Sequence, residues 1–217
     1  MNKENNEKEL LKQQNRIRFI HAAQELIESE GPQKASIRKI AERAGFHNST
    51  IYLYFEDVDQ LILLASLKYF NEYSKALSEL STKNLMPSEN FMTIWDFFAR
   101  TIFARPQIFY NFFFGKHSDN LTEIIRQYYE LFPEEQDNYT PEIEDMYYGR
   151  NIKERCLKVL AMLKGAGMRV NEENIEMIND ISVSYLKYLL EQKCQNPSLD
   201  SDILTDKLLK MLKFMLS

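Results

Sequence analysis

The stretch Ala35-Ser36-Ile37-Arg38-Lys39-Ile40-Ala41-Glu42-Arg43-Ala44-Gly45-Phe46, continued by His47-Asn48-Ser49-Thr50-Ile51-Tyr52-Leu53-Tyr54-Phe55, decides the fold. Ser36 stands where a helix N-cap belongs, and Ile37, Ile40, Ala41 and Ala44 repeat at helical spacing. Gly45 tolerates the left-handed conformation that closes a helix, so this helix runs for about two turns. After Phe46, either His47 or Asn48 opens a further short helix carrying Ile51, Tyr52 and Phe55. Two helices crossing over a short turn need a small residue at the crossing (Ala41), a residue free to take positive φ in the turn (Gly45) and apolar residues to lock them together (Ile40, Ile51). The pattern predicts a helix-turn-helix over residues 37–56.

Outward from this core the chain stays helical. Upstream, Ile17, Ile20, Ala23, Leu26 and Ile27 form one apolar face from Arg16 to Glu30, stopped by Gly31-Pro32. Residues 1–14 are polar and charged and read as a disordered tail. Downstream, Asp57 with Gln60 has the form of a capping box for a fourth helix from Leu61 to about Leu80. Helical patterns follow at Phe91–Ala104, Pro106–Phe114, Leu121–Phe132, Ile152–Lys164, Glu172–Gln192 and Asp202–Leu216. A polar, acidic break at 133–141 interrupts them. With 6 Gly and 6 Pro in 217 residues there are few breakers for the turns of a β fold, so the class is all-α. The domains read as the tail, a three-helix DNA-binding domain at 15–58 and a larger helical ligand-binding and dimerisation domain at 59–217.

The net charge of −5 excludes a protein that coats nucleic acid by overall charge, but a local positive face suffices for a specific reader. Such an island exists. Between Lys34 and Phe55, Lys34, Arg38, Lys39 and Arg43 face Glu42 alone, whereas Glu134, Glu135, Asp137, Glu142, Glu144 and Asp145 crowd one acidic stretch. No leader or membrane span is evident, which suits a cytoplasmic protein. Cys156 and Cys194 have no partners at ligand spacing, so neither metal nor disulfide is expected. His21, His47 and His117 lie in no metal or catalytic spacing, and no phosphate loop or nucleophile motif is present; no enzyme and no cofactor is expected.

The segments 35–46 and 49–55, with Leu61, resemble the TetR family of transcriptional regulators over about residues 16–64. The resemblance implies a two-fold dimer on a palindrome in double-stranded DNA, with the third helix in the major groove. It implies His47, Asn48, Ser49, Thr50 and Tyr52 as base-edge and groove-facing residues, and Ser36, Arg38, Lys39 and Tyr54 as phosphate contacts. Those residue types suit the roles: hydroxyls and guanidinium groups fix backbone register, and short polar side chains reach base edges. For Tyr52 and Phe55 plain core packing is the competing reading, and for His47 a turn role. One departure stands out. Where the family usually carries a basic residue just after the N-cap of helix four, this chain has Val58 between Asp57 and Asp59, which weakens the expected phosphate clamp.

Residues 91–148 are rich in aromatics, more than one helix face buries. They suit a cavity for a mainly apolar or aromatic small molecule, with Trp95, Phe98, Tyr110, Phe114 and Tyr128 as lining; ordinary core packing is the alternative. The last two helices are apolar on more than one face, which fits a helical homodimer interface. The resulting expectation is a ligand-responsive repressor released from DNA by its effector. A family-like protein working through protein partners, without a small molecule, remains open.

Overall fold

The computed structural model describes residues 2–81, 85–136, 147 and 149–217, and among them there is no strand. Asp137, Glu142, Glu144 and Asp145 of the acidic stretch, and Tyr139 and Tyr148 of the aromatic segment, lie outside the described residues. The helices are α1 (Asn2–Glu30), α2 (Ile37–Ala44), α3 (Val58–Ser81), α4 (Pro87–Ala104), α5 (Pro106–Phe114), α6 (Leu121–Leu131), α7 (Ile152–Ala161), α8 (Ile175–Gln195) and α9 (Ser201–Leu216). A 3-10 helix, Asn48–Leu53, follows α2. None of the described helices is long and apolar enough to cross a membrane.

The chain divides into two compact units: Met1–Lys68 with Glu123–Gln136, and Tyr69–Thr122 with Asp137–Ser217. In the first, Phe19, Ile20, Ala23 and Leu26 of α1 are buried together with Ile40 and Ala41 of α2, Ile51 and Phe55. Phe19 is the hub. Its ring stacks on Phe46 at 4.8 Å between centroids and meets Phe55 edge-on at 6.0 Å. Residues 2–14, expected as a disordered tail, instead continue α1. They contain neither Gly nor Pro and consist largely of Glu, Lys, Gln and Leu, so propensity favours extending a helix that the core already holds.

The capping box at α3 forms in modified geometry. Asp57 Oδ1 accepts from the Gln60 backbone N–H at 2.8 Å, while the Gln60 side chain reaches one residue further back and accepts from Glu56 N–H at 2.8 Å. In the second unit, α4 is buried through Phe91, Ile94, Trp95, Phe98, Ile102 and Phe103, and α5 through Ile108, Phe109, Phe112 and Phe113. The loop between α8 and α9 is held by Lys193, whose ammonium donates to the carbonyls of Pro197 and Leu199. Asp200 then caps α9, accepting from the Asp202 and Ile203 N–H groups.

Candidate nucleic-acid interface and ligand cavity

Gly45 (φ 76°) ends α2 in the left-handed region, and two backbone bonds close the helix around it. Phe46 N–H donates to Ala41 O at 2.9 Å and Gly45 N–H to Glu42 O at 3.1 Å, the double bond pattern of a Schellman cap. A third partner comes from α1. The Arg18 guanidinium donates to Ala44 O at 2.8 Å and lies 4.6 Å from the Phe46 ring centre. A positive group on the last carbonyls of a helix also complements its dipole. The turn is therefore clamped from both sides, and a Cβ at Gly45 would lie 3.2 Å from Arg18 Nη2.

The segment after the turn is where the two alternatives for its first residue separate. His47 is the N-cap and Asn48 the first helical residue: the imidazole Nδ1 accepts from Ser49 N–H at 3.4 Å and shares a 2.9 Å hydrogen bond with Ser49 Oγ. The element is 3-10 rather than α, anchored by the buried Ile51. His47, Asn48, Ser49 and Tyr52 are exposed and Thr50 half-buried. Phe55 is core, whereas Tyr52 is 57% exposed. The row is thus an outward-facing polar edge on a fixed base.

Around it, Ser36 and Arg38 are exposed and Lys39 and Tyr54 half-buried. Ser36 Oγ caps α2 with a long 3.5 Å bond from Lys39 N–H, which leaves the hydroxyl proton unused. Tyr54 likewise accepts a bond at its hydroxyl, from Asn15 Nδ2 at 2.9 Å, and keeps its own O–H to donate. Lys39 is engaged: its ammonium pairs with Glu30 at 2.6 Å and holds that carboxyl below the usual carboxylate range. Arg43 lies 3.6 Å from Glu25. A phosphate would draw on Arg38 at once and on Lys39 in competition with Glu30. Asp57, one of the acids beside Val58, is committed to the α3 cap.

The second unit holds an aromatic cavity walled by Phe70 and Tyr73 of α3, Ile94, Trp95 and Phe98 of α4, Phe113 of α5 and Ile152, Arg155, Cys156 and Val159 of α7. Its free volume is about 30 Å³, so the side chains leave little unfilled room between them. The rings interlock, Trp95 edge-on to Phe98 at 5.8 Å and Phe98 edge-on to Phe113 at 5.5 Å. Of the residues expected as lining, Trp95 and Phe98 stand in this wall. The other three lie elsewhere. Tyr110 donates to Glu191 at 2.8 Å, and burial, aided by that bond, pushes its phenol up to about 12. Phe114 borders a separate, more polar cleft with Asp119, Asn151 and Lys187. Tyr128 is fully buried in the first unit, donating to Glu135 at 2.7 Å. Sequence reasoning missed Phe70, Tyr73, Arg155 and Cys156; their helices lie outside or at the edge of the aromatic-rich segment, and Arg155 reads as an ordinary surface charge.

An exposed polar edge on a short element, clamped behind a two-turn helix, is the architecture of a helix-turn-helix. Residues 19–65 match the family described as bacterial regulatory proteins, tetR family, and the chain carries the N-terminal domain of that family. No curated protein matches the chain by sequence. Across its length the fold is shared with solved structures. FadR of Thermus thermophilus, a TetR-family transcriptional repressor in complex with lauroyl-CoA, is 16% identical, with 91% of this chain and 93% of that one covered and a TM-score of 0.60. RolR in complex with resorcinol is 19% identical, with 93% and 89% covered and a TM-score of 0.60. A TetR/AcrR-family regulator from Thermobifida fusca is 17% identical, with 91% and 95% covered and a TM-score of 0.53.

Proposed function

We propose that this TetR-family regulator is a dimeric, ligand-responsive repressor that reads a palindromic operator. The observation that carries the reading is the exposed row His47, Asn48, Ser49 and Tyr52, set on a turn that Gly45 and Arg18 immobilise. Polar side chains preorganised at the start of a groove-sized element meet base edges without a further ordering cost. Thr50 completes the row, and Ser36, Arg38, Lys39 and Tyr54 supply the phosphate contacts that set register.

Dimerisation is supported by apolar surface that the chain itself leaves uncovered. Met177, Ile181 and Tyr188 of α8 and Ile203 and Phe214 of α9 are exposed, Phe214 to 83%. Solvent-facing side chains of this kind on two adjacent helices suit a four-helix interface with a second copy. Half-sites then sit about 34–36 Å apart, one helical turn of DNA. The effector enters the aromatic cavity. At about 30 Å³ that space admits little beyond a water, so an occupant must spread α3, α4, α5 and α7. Differential affinity for the spread state shifts the equilibrium away from DNA-competent spacing. FadR holds an acyl-CoA and RolR a phenol, which is compatible with a body that takes apolar or aromatic effectors.

Footprinting of the full chain on fragments flanking its own gene tests the reading, together with light scattering. A two-fold-symmetric protected site bound by a dimer is the expected result. Protection without sequence preference, or a monomer at micromolar concentration, would refute it and favour a protein that works through other partners.

A further inference from the structure

Arg155 is charged, lines the aromatic cavity and is only 4% exposed. Its Nε donates to Gly149 O at 3.0 Å, and its guanidinium lies 4.7 Å from the Phe70 ring centre. Among the described residues little else answers the charge: the Tyr147 ring centre is 6.0 Å away, Nη2 is buried with no acceptor, and the adjacent carboxylate, Glu154, is engaged by Arg150 at 3.1 Å. Burial pulls the Arg155 pKa down to about 10, still far enough above neutrality to keep it cationic. Cys156 beside it is pushed up to about 12 by burial, so no thiolate is present to balance the charge. A buried cation left partly unpaired is costly, and an apolar side chain of the same volume would serve the core better.

We propose that Arg155 is the anion-reading group of the effector site, and that the effector is a small apolar carboxylate whose body lies against Trp95, Phe98 and Phe113. The inference rests on the cavity reading above and narrows it to one chemical class. Guanidinium and carboxylate match as planar partners, and the pair gains strength where water is excluded. The apolar walls and the single cation together select against both neutral hydrocarbons and hydrophilic anions. A neutral analogue of the same shape leaves the cation unanswered and forfeits most of the preference.

Calorimetry on the full chain, with 3-phenylpropionate and octanoate each set against its primary amide, tests this directly. Wild type is expected to bind at least one acid about tenfold or more tighter than its amide, the preferred tail reporting an aryl or alkyl body. Arg155→Met is expected to bind acid and amide alike, with the unliganded protein melting no lower than wild type. Equal affinity of wild type for acid and amide, or a preference that persists in Arg155→Met, overturns the role of Arg155 and leaves the cavity reading standing. Absence of binding by all four compounds overturns both. Should Arg155→Met not fold, the wild-type complex decides through carboxyl-labelled acid and carbon NMR. The bound carboxyl is expected to stay ionised below the pH at which the free acid protonates; protonation at or above that pH overturns the proposal.

Discussion

The reading turn and the aromatic cavity handle polar groups in opposite ways. On the turn, hydrogen-bonding capacity is settled locally and the rest faces water: His47 caps Ser49, Ser36 caps Lys39, and Tyr54 takes a bond from Asn15. In the cavity, Arg155 is withdrawn from water with Nη2 unanswered among the described residues. The first arrangement costs little while idle and leaves its outward-facing groups to the solvent, where the proposed DNA partner would replace water. The second stores an unmet electrostatic demand inside apolar walls, which a ligand of the right sign can meet. Stability and function are therefore nearly separable at the turn and opposed at the cavity.

The contrast is broken most forcefully through the base of the turn. Phe19→Ala removes the ring that stacks on Phe46 and meets Phe55, at an expected cost of about 3–5 kcal/mol. DNA binding should be lost while carboxylate binding by the second unit persists; urea denaturation with parallel calorimetry checks both. Gly45→Ala forces a side chain into the left-handed region and against Arg18, and should cost about 1–2 kcal/mol in urea midpoints. If separability holds, His47→Ala and Tyr52→Ala should each change stability by less than about 0.5 kcal/mol. Each should nevertheless weaken operator binding by about 1–3 kcal/mol in fluorescence anisotropy, with relaxed sequence preference.

Much of this was legible in the sequence wherever the chemistry is local. Ser36, Gly45 and the Ile40/Ile51 pair act through neighbours a few residues away, and each stands where its residue type places it. The Asp57–Gln60 pair was equally readable, although the side chain closes onto Glu56 rather than Asp57. What escaped acts across distance. Arg18 caps a helix 26 residues further on. The cavity wall joins Phe70 of α3 to Arg155 of α7, and no local pattern announces that an Arg in an amphipathic helix faces inward. The 3-10 form of Asn48–Leu53 is likewise invisible to a reading based on apolar spacing, because so short an element carries one buried anchor, Ile51.

Smaller effects sharpen the comparison at its edges. Arg38 is exposed, so Arg38→Ala should leave melting unchanged and lower the slope of log affinity against log salt by about one. Lys39→Met probes the weakest coupling. The Lys39 hydrogen bond lowers the Glu30 pKa in the folded state, so its contribution is present above the ordinary carboxylate pKa. That contribution is lost as pH falls through the lowered, folded value. Melting curves of wild type and Lys39→Met should therefore run parallel near neutrality and converge in acid.

Trp95 is the single tryptophan of the chain, and it stands in the cavity wall, 3% exposed. Every photon of indole emission thus originates beside Arg155 and Phe98. The protein carries a built-in optical probe at the place where an effector would seat: the unliganded spectrum should be blue-shifted, and displacement of the walls should register as a change in intensity or lifetime. Effector screening then needs no label, and stopped-flow emission can time the spreading of the helices against the departure of DNA.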